Sequence, residues 1–250
     1  MRQRYRGLAG LNTAQQLAIA QVTNASDLAA DFGASVAAFE EYCNPEPFYE
    51  TARKPLKTGQ QIPANIERTE HFAAVLKAHG CCRIEDGPNF DFRYVERELV
   101  PARTTGVARY SNGEDPRRLI RFDLLLAGEL PILSELKLPK DNASAFYALI
   151  QLLASASELA TTHQRARLWQ YYSHYLPDPR VAHFDLYLIF YRFNFRSKPK
   201  AAILERTDRL AAELLRFQEI KTHVRRIVAL DSDWTGGVEI IFKKLFSHSS

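Results

Sequence analysis

Two apolar runs set almost end to end constrain this chain more than any other feature. They are residues 117–127 (RRLIRFDLLLA) and 131–138 (PILSELKL), separated only by Gly128-Glu129-Leu130. Short apolar runs joined by a glycine-containing link of this length read as a β-hairpin. Side chains of the second run alternate, so Leu133, Glu135 and Lys137 share one face while Ile132, Ser134, Leu136 and Leu138 share the other. A three-residue loop pairs Ala127 with Pro131 and sets Asp123 opposite Glu135; a two-residue loop shifts that register by one. In the first register the two carboxylate-bearing Cβ atoms stand about 5 Å apart. Like charges so close repel unless a cation lies between them. Hard oxygen ligands at this spacing suit Mg²⁺, with Mn²⁺ as its substitute.

A surface ladder of salt bridges is the competing reading of Asp123, Glu135 and Lys137. The apolar residues Leu124-Leu125-Leu126 and Pro131-Ile132-Leu133 around them favour a site instead, because polar groups embedded in a buried sheet need partners. On that reading Asp123 and Glu135, with the backbone carbonyl of Leu136, hold the metal. Lys137 stabilises the charge that develops on a phosphate or orients the attacking water.

The flanking pattern predicts the rest of the fold. Residues 13–42 read as alanine-rich helix with a cap and restart near Thr23 to Asp27, and residues 44–66 as a loop or linker. A short helix from Arg68 to His79 stops at Gly80. Strands follow at 81–85 and 90–100, divided by the turn signal Asp86-Gly87-Pro88-Asn89. Asp141 or Asn142 is expected to cap one long helix reaching Tyr172, with Pro177 and Pro179 at its exit. Strand 185–193, helix 201–220 and a final short strand 224–230 complete the order. The expected class is α/β, a central mixed sheet flanked by helices, with residues 1–66 as an N-terminal helical extension and linker and 67–250 as the main domain.

Asp123, eleven intervening residues, then Glu135-Leu136-Lys137 on the next strand resembles the PD-(D/E)xK phosphodiesterase superfamily, which includes restriction endonucleases and RecB-type exonucleases. The resemblance covers roughly residues 68–230 in element order. Phe122 stands where the motif's proline would be. The following helix, Phe146-Tyr147-Ala148-Leu149-Ile150-Gln151-Leu152-Leu153, is similar to the RecB-like helix that carries a glutamine, although Ser155 replaces the tyrosine often found four residues later. The resemblance implies a restriction-endonuclease-like core and metal-dependent hydrolysis of nucleic acid, DNA ahead of RNA. It also implies a further acid, for which Glu70 on the preceding helix is the candidate and Glu96 or Glu98 fit equally well. Gln151 belongs to a polar strip, Tyr147, Gln151, Ser155 and Glu158, at helical spacing. If that strip faces the hairpin, Gln151 is placed to position water, metal or phosphate.

Substrate contacts are expected from Arg117, Arg118 and Arg121 before the metal strand and from Arg192, Arg196, Lys198 and Lys200 after the aromatic one. Tyr187, Tyr191 and Phe193 read as core ahead of base-stacking residues, and the polar segment 103–113 as a neighbour of the cleft. The net charge of +4 does not by itself mark a nucleic-acid binder. Cys43, Cys81 and Cys82 fit neither a disulfide framework nor a zinc site, and the seven histidines show no ligand spacing. No run is long and apolar enough for a membrane span, so a cytoplasmic protein without a membrane partner is expected. Two other readings remain: a nuclease-fold module that binds or assembles without turnover, and a structural protein built on its N-terminal helices. Those helices offer a surface for a homo-oligomer under any of the three.

Overall fold

The computed structural model describes residues 1–40, 66–85, 92–101, 120–139, 141, 144–176, 183–236 and 240–250. The sequence features expected at 44–65, 86–89, 103–113, Arg117, Arg118, Asn142, Pro177 and Pro179, and Cys43, lie outside them.

Among the described residues seven strands form one mixed sheet in sequence order: β1 (Cys81–Ile84), β2 (Phe92–Leu99), β3 (Phe122–Ala127), β4 (Pro131–Lys137), β5 (Phe184–Tyr191), β6 (Val224–Ser232) and β7 (Ile241–Ser249). Neighbours β1 to β4 run antiparallel, β4, β5 and β6 run parallel, and β7 returns antiparallel to β6. The sheet then closes on itself, because Arg83 and Ile84 of β1 pair in parallel with Ile241 and Phe242 of β7.

The two faces bury separate clusters. One face holds Phe92, Leu124, Leu126, Ile132, Leu136, Tyr187, Ile189, Val228 and Phe242 against Phe72, Val75 and Leu76 of helix α4 (Thr69–His79). Gly80 ends α4 at φ +73, a conformation costly for other residues, and its N–H reaches the Leu76 carbonyl at 3.2 Å. The other face carries Leu125, Leu133, Leu186, Leu188, Phe190, Ile227 and Ala229, covered by the remaining helices. Central β4 and β5 are buried along their whole length, as parallel strands covered on both faces must be.

Among the described residues three helices precede α4: α1 (Arg2–Leu8), α2 (Thr13–Val22) and α3 (Ala25–Glu40). The expected restart near Thr23 is observed, whereas α1 is an addition to the sequence reading. Leu8, Ala20, Leu28 and Phe32 from these helices belong to the same buried cluster as β3 to β6. Part of their apolar surface is therefore used within the molecule, while Ile19 and Val22 of α2 stay exposed.

The single long helix expected to end at Tyr172 is two helices, α5 (Ala145–Leu159) and α6 (Thr162–Tyr172). Ser144, not Asp141, caps α5 by accepting the Tyr147 amide, and Thr161 caps α6 by accepting that of Gln164. Asp141 instead accepts the Leu138 amide at 2.8 Å. After β5 come α7 (Lys198–Leu214) and the single turn α8 (Gln218–Lys221). Strand β6 is not the last; β7 was missed because only its Phe242 and Phe246 are buried, which leaves no clean alternation. Among the described residues no helix is long and apolar enough to cross a membrane.

Candidate active site

The β3–β4 hairpin has the three-residue register: Ala127 pairs with Pro131, Leu126 with Ile132, Leu125 with Leu133 and Leu124 with Ser134. One step further, Asp123 lies opposite Glu135. There the ladder stops and the side chain takes over, with Asp123 Oδ2 accepting the Leu136 amide at 2.9 Å. Asp123, Glu135 and Lys137 thus meet on the face that carries Leu133 and α5.

Glu135 is 2% exposed and Lys137 5%, while Asp123 keeps partial contact with solvent. Lys137 Nζ donates to Glu135 Oε1 at 2.8 Å. The Glu135 carboxyl also meets that of Asp123 in a side-chain hydrogen bond; among the described residues its buried Oε2 takes no donor, and the strongest charge acting on it is that of Asp123. Burial, reinforced by Asp123, pushes the Glu135 carboxyl well above the ordinary carboxylate range, against the pull of Lys137. Burial raises Asp123 too, with Lys137 and the Leu136 amide opposing it. For Lys137 burial disfavours the ammonium, but the carboxylates of Glu135 and Asp123 outweigh it and raise its pKa. Both carboxyls are thus held above the ordinary range, that of Glu135 the further.

Helix α5 closes the face. Its polar strip is turned inward, not to solvent: Gln151, Ser155 and Glu158 are buried and Tyr147 half-buried. Gln151 Nε2 donates to the Arg121 carbonyl at 2.8 Å, tying α5 to the residue two before Asp123. The Tyr147 ring lies 5.3 Å from Lys137 Nζ. Burial raises the Tyr147 hydroxyl far above its usual value, with Tyr5 next in weight.

The three further acids separate. Glu70 on α4 pairs with Arg97 at 3.3 Å and with Arg68 at 3.8 Å. Glu96 accepts the Arg97 amide at 2.9 Å and the Tyr94 hydroxyl at 3.2 Å. Glu98, between Arg97 (opposite Leu124) and Leu99 (opposite Phe122), holds the β2 position across from Asp123, at φ +50. Among the described residues no third His, Cys, Asp or Glu joins the carboxylate pair in a ligand group.

Of the expected contacts, Arg121, Arg192, Arg196 and Lys198 are exposed. The register Lys137–Phe190 puts the 192–200 segment just past the strand end beside the lysine. Tyr187 and Tyr191 are core residues of the α4 face, while Phe193 lies beyond β5 and packs on the opposite cluster, so the three do not share one face. Trp234 stacks edge-on to His79 at 5.4 Å, and its carbonyl accepts the Tyr191 hydroxyl. Sequence reasoning missed Tyr5 of α1, whose ring stacks on Tyr147 at 5.4 Å; no local signal connects a residue so far upstream to the hairpin.

Comparison of the chain with models of known protein families, with curated proteins and with solved structures finds no match.

Proposed function

We propose that this protein is a metal-dependent phosphodiesterase acting on nucleic acid, DNA ahead of RNA, with a restriction-endonuclease-like core. The observation that carries the reading is the convergence of the Asp123 and Glu135 carboxyls on adjacent strands, close enough to hydrogen-bond each other, beside the Lys137 ammonium. A charged carboxylate at Glu135 is unfavourable without a proton or a second cation. Two hard oxygen donors with an unfilled coordination position fit Mg²⁺ or Mn²⁺.

Asp123 and Glu135 would hold the ion, with the Leu136 carbonyl as the backbone ligand. A bound divalent ion supplies Lewis acidity toward a phosphate oxygen and lowers the pKa of a coordinated water. Lys137 would place its ammonium where negative charge grows on the phosphate. Gln151 fixes the Arg121 backbone and so the start of the strand that delivers Asp123. Exposed Arg121, Arg192, Arg196 and Lys198 supply sequence-independent contacts to phosphates.

The test is incubation of the protein with single- and double-stranded DNA and RNA, with Mg²⁺, Mn²⁺ or chelator, beside Glu135→Ala and Lys137→Ala. Metal-dependent cleavage lost in both variants supports the reading; cleavage that survives both overturns it. One observation favours a second reading, a nuclease-fold module that binds without turnover: Glu135 and Lys137 already pair through Oε1 in a nearly closed site. Binding without cleavage of any substrate would establish that reading.

A further inference from the structure

Helix α1 looks dispensable from its sequence, yet several contacts bind it to the site. Arg4 pairs with Asp31 of α3, and Leu8 is buried in the cluster beneath α5. The link to α2 is hooked onto the start of α5: Gln16 Nε2 donates to the Leu11 carbonyl at 2.8 Å, while Gln16 Oε1 accepts the Ser144 amide at 3.0 Å. Ser144 caps the turn that carries Tyr147. Held in this way, Tyr5 lies over Tyr147 with ring centroids 5.4 Å apart and planes inclined by 26°. On the site side of that pair, Lys137 Nζ lies 5.3 Å from the centre of the Tyr147 ring.

We propose that Tyr5 is a positioning residue of the candidate active site: by stacking on Tyr147 it holds that ring over the Lys137 ammonium, so that α1 completes the site from the far end of the chain. Lys137 is long and unbranched, and its bond to Glu135 is the contact that metal binding would weaken. The ring face supplies a second attraction for the ammonium that does not use the carboxylate. A side chain with four rotatable bonds then keeps its direction once Glu135 is engaged elsewhere. Tyr5 acts through Tyr147, which it meets by ring stacking and by a hydrogen bond between the hydroxyls; the stack, which Tyr5→Phe keeps, does the positioning. Burial raises the Tyr5 hydroxyl, and the neighbouring Tyr147 hydroxyl, Glu135, Lys137 and Asp123 all act on it, in keeping with its place at the rim of the triad.

This inference rests on the proposed function for its catalytic consequence but not for its geometry, so two readouts separate them. The first is labelling of the full-length chain with a limiting amine-acylating reagent, scoring Lys137 against exposed Lys243 by peptide mass. Tyr5→Ala and Tyr5→Leu are expected to raise relative Lys137 labelling about fivefold, and Tyr5→Phe to leave it within about twofold of wild type. Tyr147→Leu against Tyr147→Phe reports the same contact with α1 untouched, should the Tyr5 variants fail to fold. Unchanged Lys137 labelling in the folded leucine variants would overturn the inference whether or not the protein cleaves anything. The second readout is cleavage of DNA: kcat falls in Tyr5→Leu with KM held, and Tyr5→Phe restores it. An equal loss in Tyr5→Phe and Tyr5→Leu would also overturn it, whereas an inactive wild type with the labelling pattern intact would count against the proposed function alone.

Discussion

Two carboxyls and one ammonium cannot all be charged, buried and content. The carboxyl pushed furthest above the ordinary range is that of Glu135, and that shift has consequences for stability. A carboxyl whose pKa is higher in the folded chain than in the unfolded one binds its proton more tightly when folded. Its contribution is complete below the unfolded carboxylate value and is lost as pH rises toward the raised folded value. Glu135→Gln, a permanent copy of the protonated form, should therefore raise the melting temperature at pH 8 and change it little at pH 4. Lys137→Met should do the reverse, leaving two buried carboxyls without a cation and costing about 3 kcal/mol at neutral pH, with recovery in acid. Thermal melts of both variants across pH 4 to 8 check the signs; a Glu135→Gln variant destabilised at pH 8 would contradict the upward shift. The same proton gives a metal test. Mn²⁺ must displace it, so apparent affinity should rise about tenfold per pH unit below the folded Glu135 pKa. Titration calorimetry in buffers of different ionisation enthalpy should show about one proton released per ion bound.

Among the elements, the β3–β4 hairpin and α5 do most to build the site, and they differ in how readable they were. The hairpin was legible from its two apolar runs and short link, but the sequence left two registers open, because the leucines at 124, 125 and 126 show no alternation; the structure has the three-residue one. Asp123 opposite Glu135 follows from that register and not from the sequence alone. Helix α5 was recognisable as a helix, but its end was not: Thr161 restarts the chain as α6 with no glycine or proline to mark the break. Which way the strip of Tyr147, Gln151, Ser155 and Glu158 faced was likewise undetermined, since polar residues on an apolar helix suit solvent as well as a buried site. The structure turns it inward, where Gln151 joins α5 to β3. Gln151→Leu should accordingly lose about 1–2 kcal/mol in urea unfolding, leaving the Arg121 carbonyl without its donor. It should also weaken Mn²⁺ binding, although no ligand is removed, because Asp123 loses the anchor two residues before it. Loss of stability with unchanged Mn²⁺ affinity would reduce Gln151 to a structural tie.

At the scale of the whole molecule, the two buried clusters share the strands that separate them, and the N-terminal helices are part of one cluster. Leu125 and Leu133 face α5 while Leu124, Leu126 and Ile132 of the same two strands face α4. Loosening either face must therefore disturb the sheet that serves both. Phe32 of α3 tests this from the segment that the sequence assigned to an extension: it is fully buried in the cluster with β5, α5 and α7. Two tryptophans report on the two sides, Trp169 on α6 and Trp234 against the α4 face. Phe32→Ala, which removes a large buried ring, should cost about 3–5 kcal/mol. If the chain folds as one unit, fluorescence of the Trp169-only and Trp234-only proteins should lose that stability together, with coincident urea midpoints before and after the substitution. If residues 1–66 are an appendage, Phe32→Ala should leave the Trp234 transition unmoved. Coincidence is the expected result, because a cavity at Phe32 undermines the packing of α5 on the sheet, and the order of α4 on the other face depends on that same sheet.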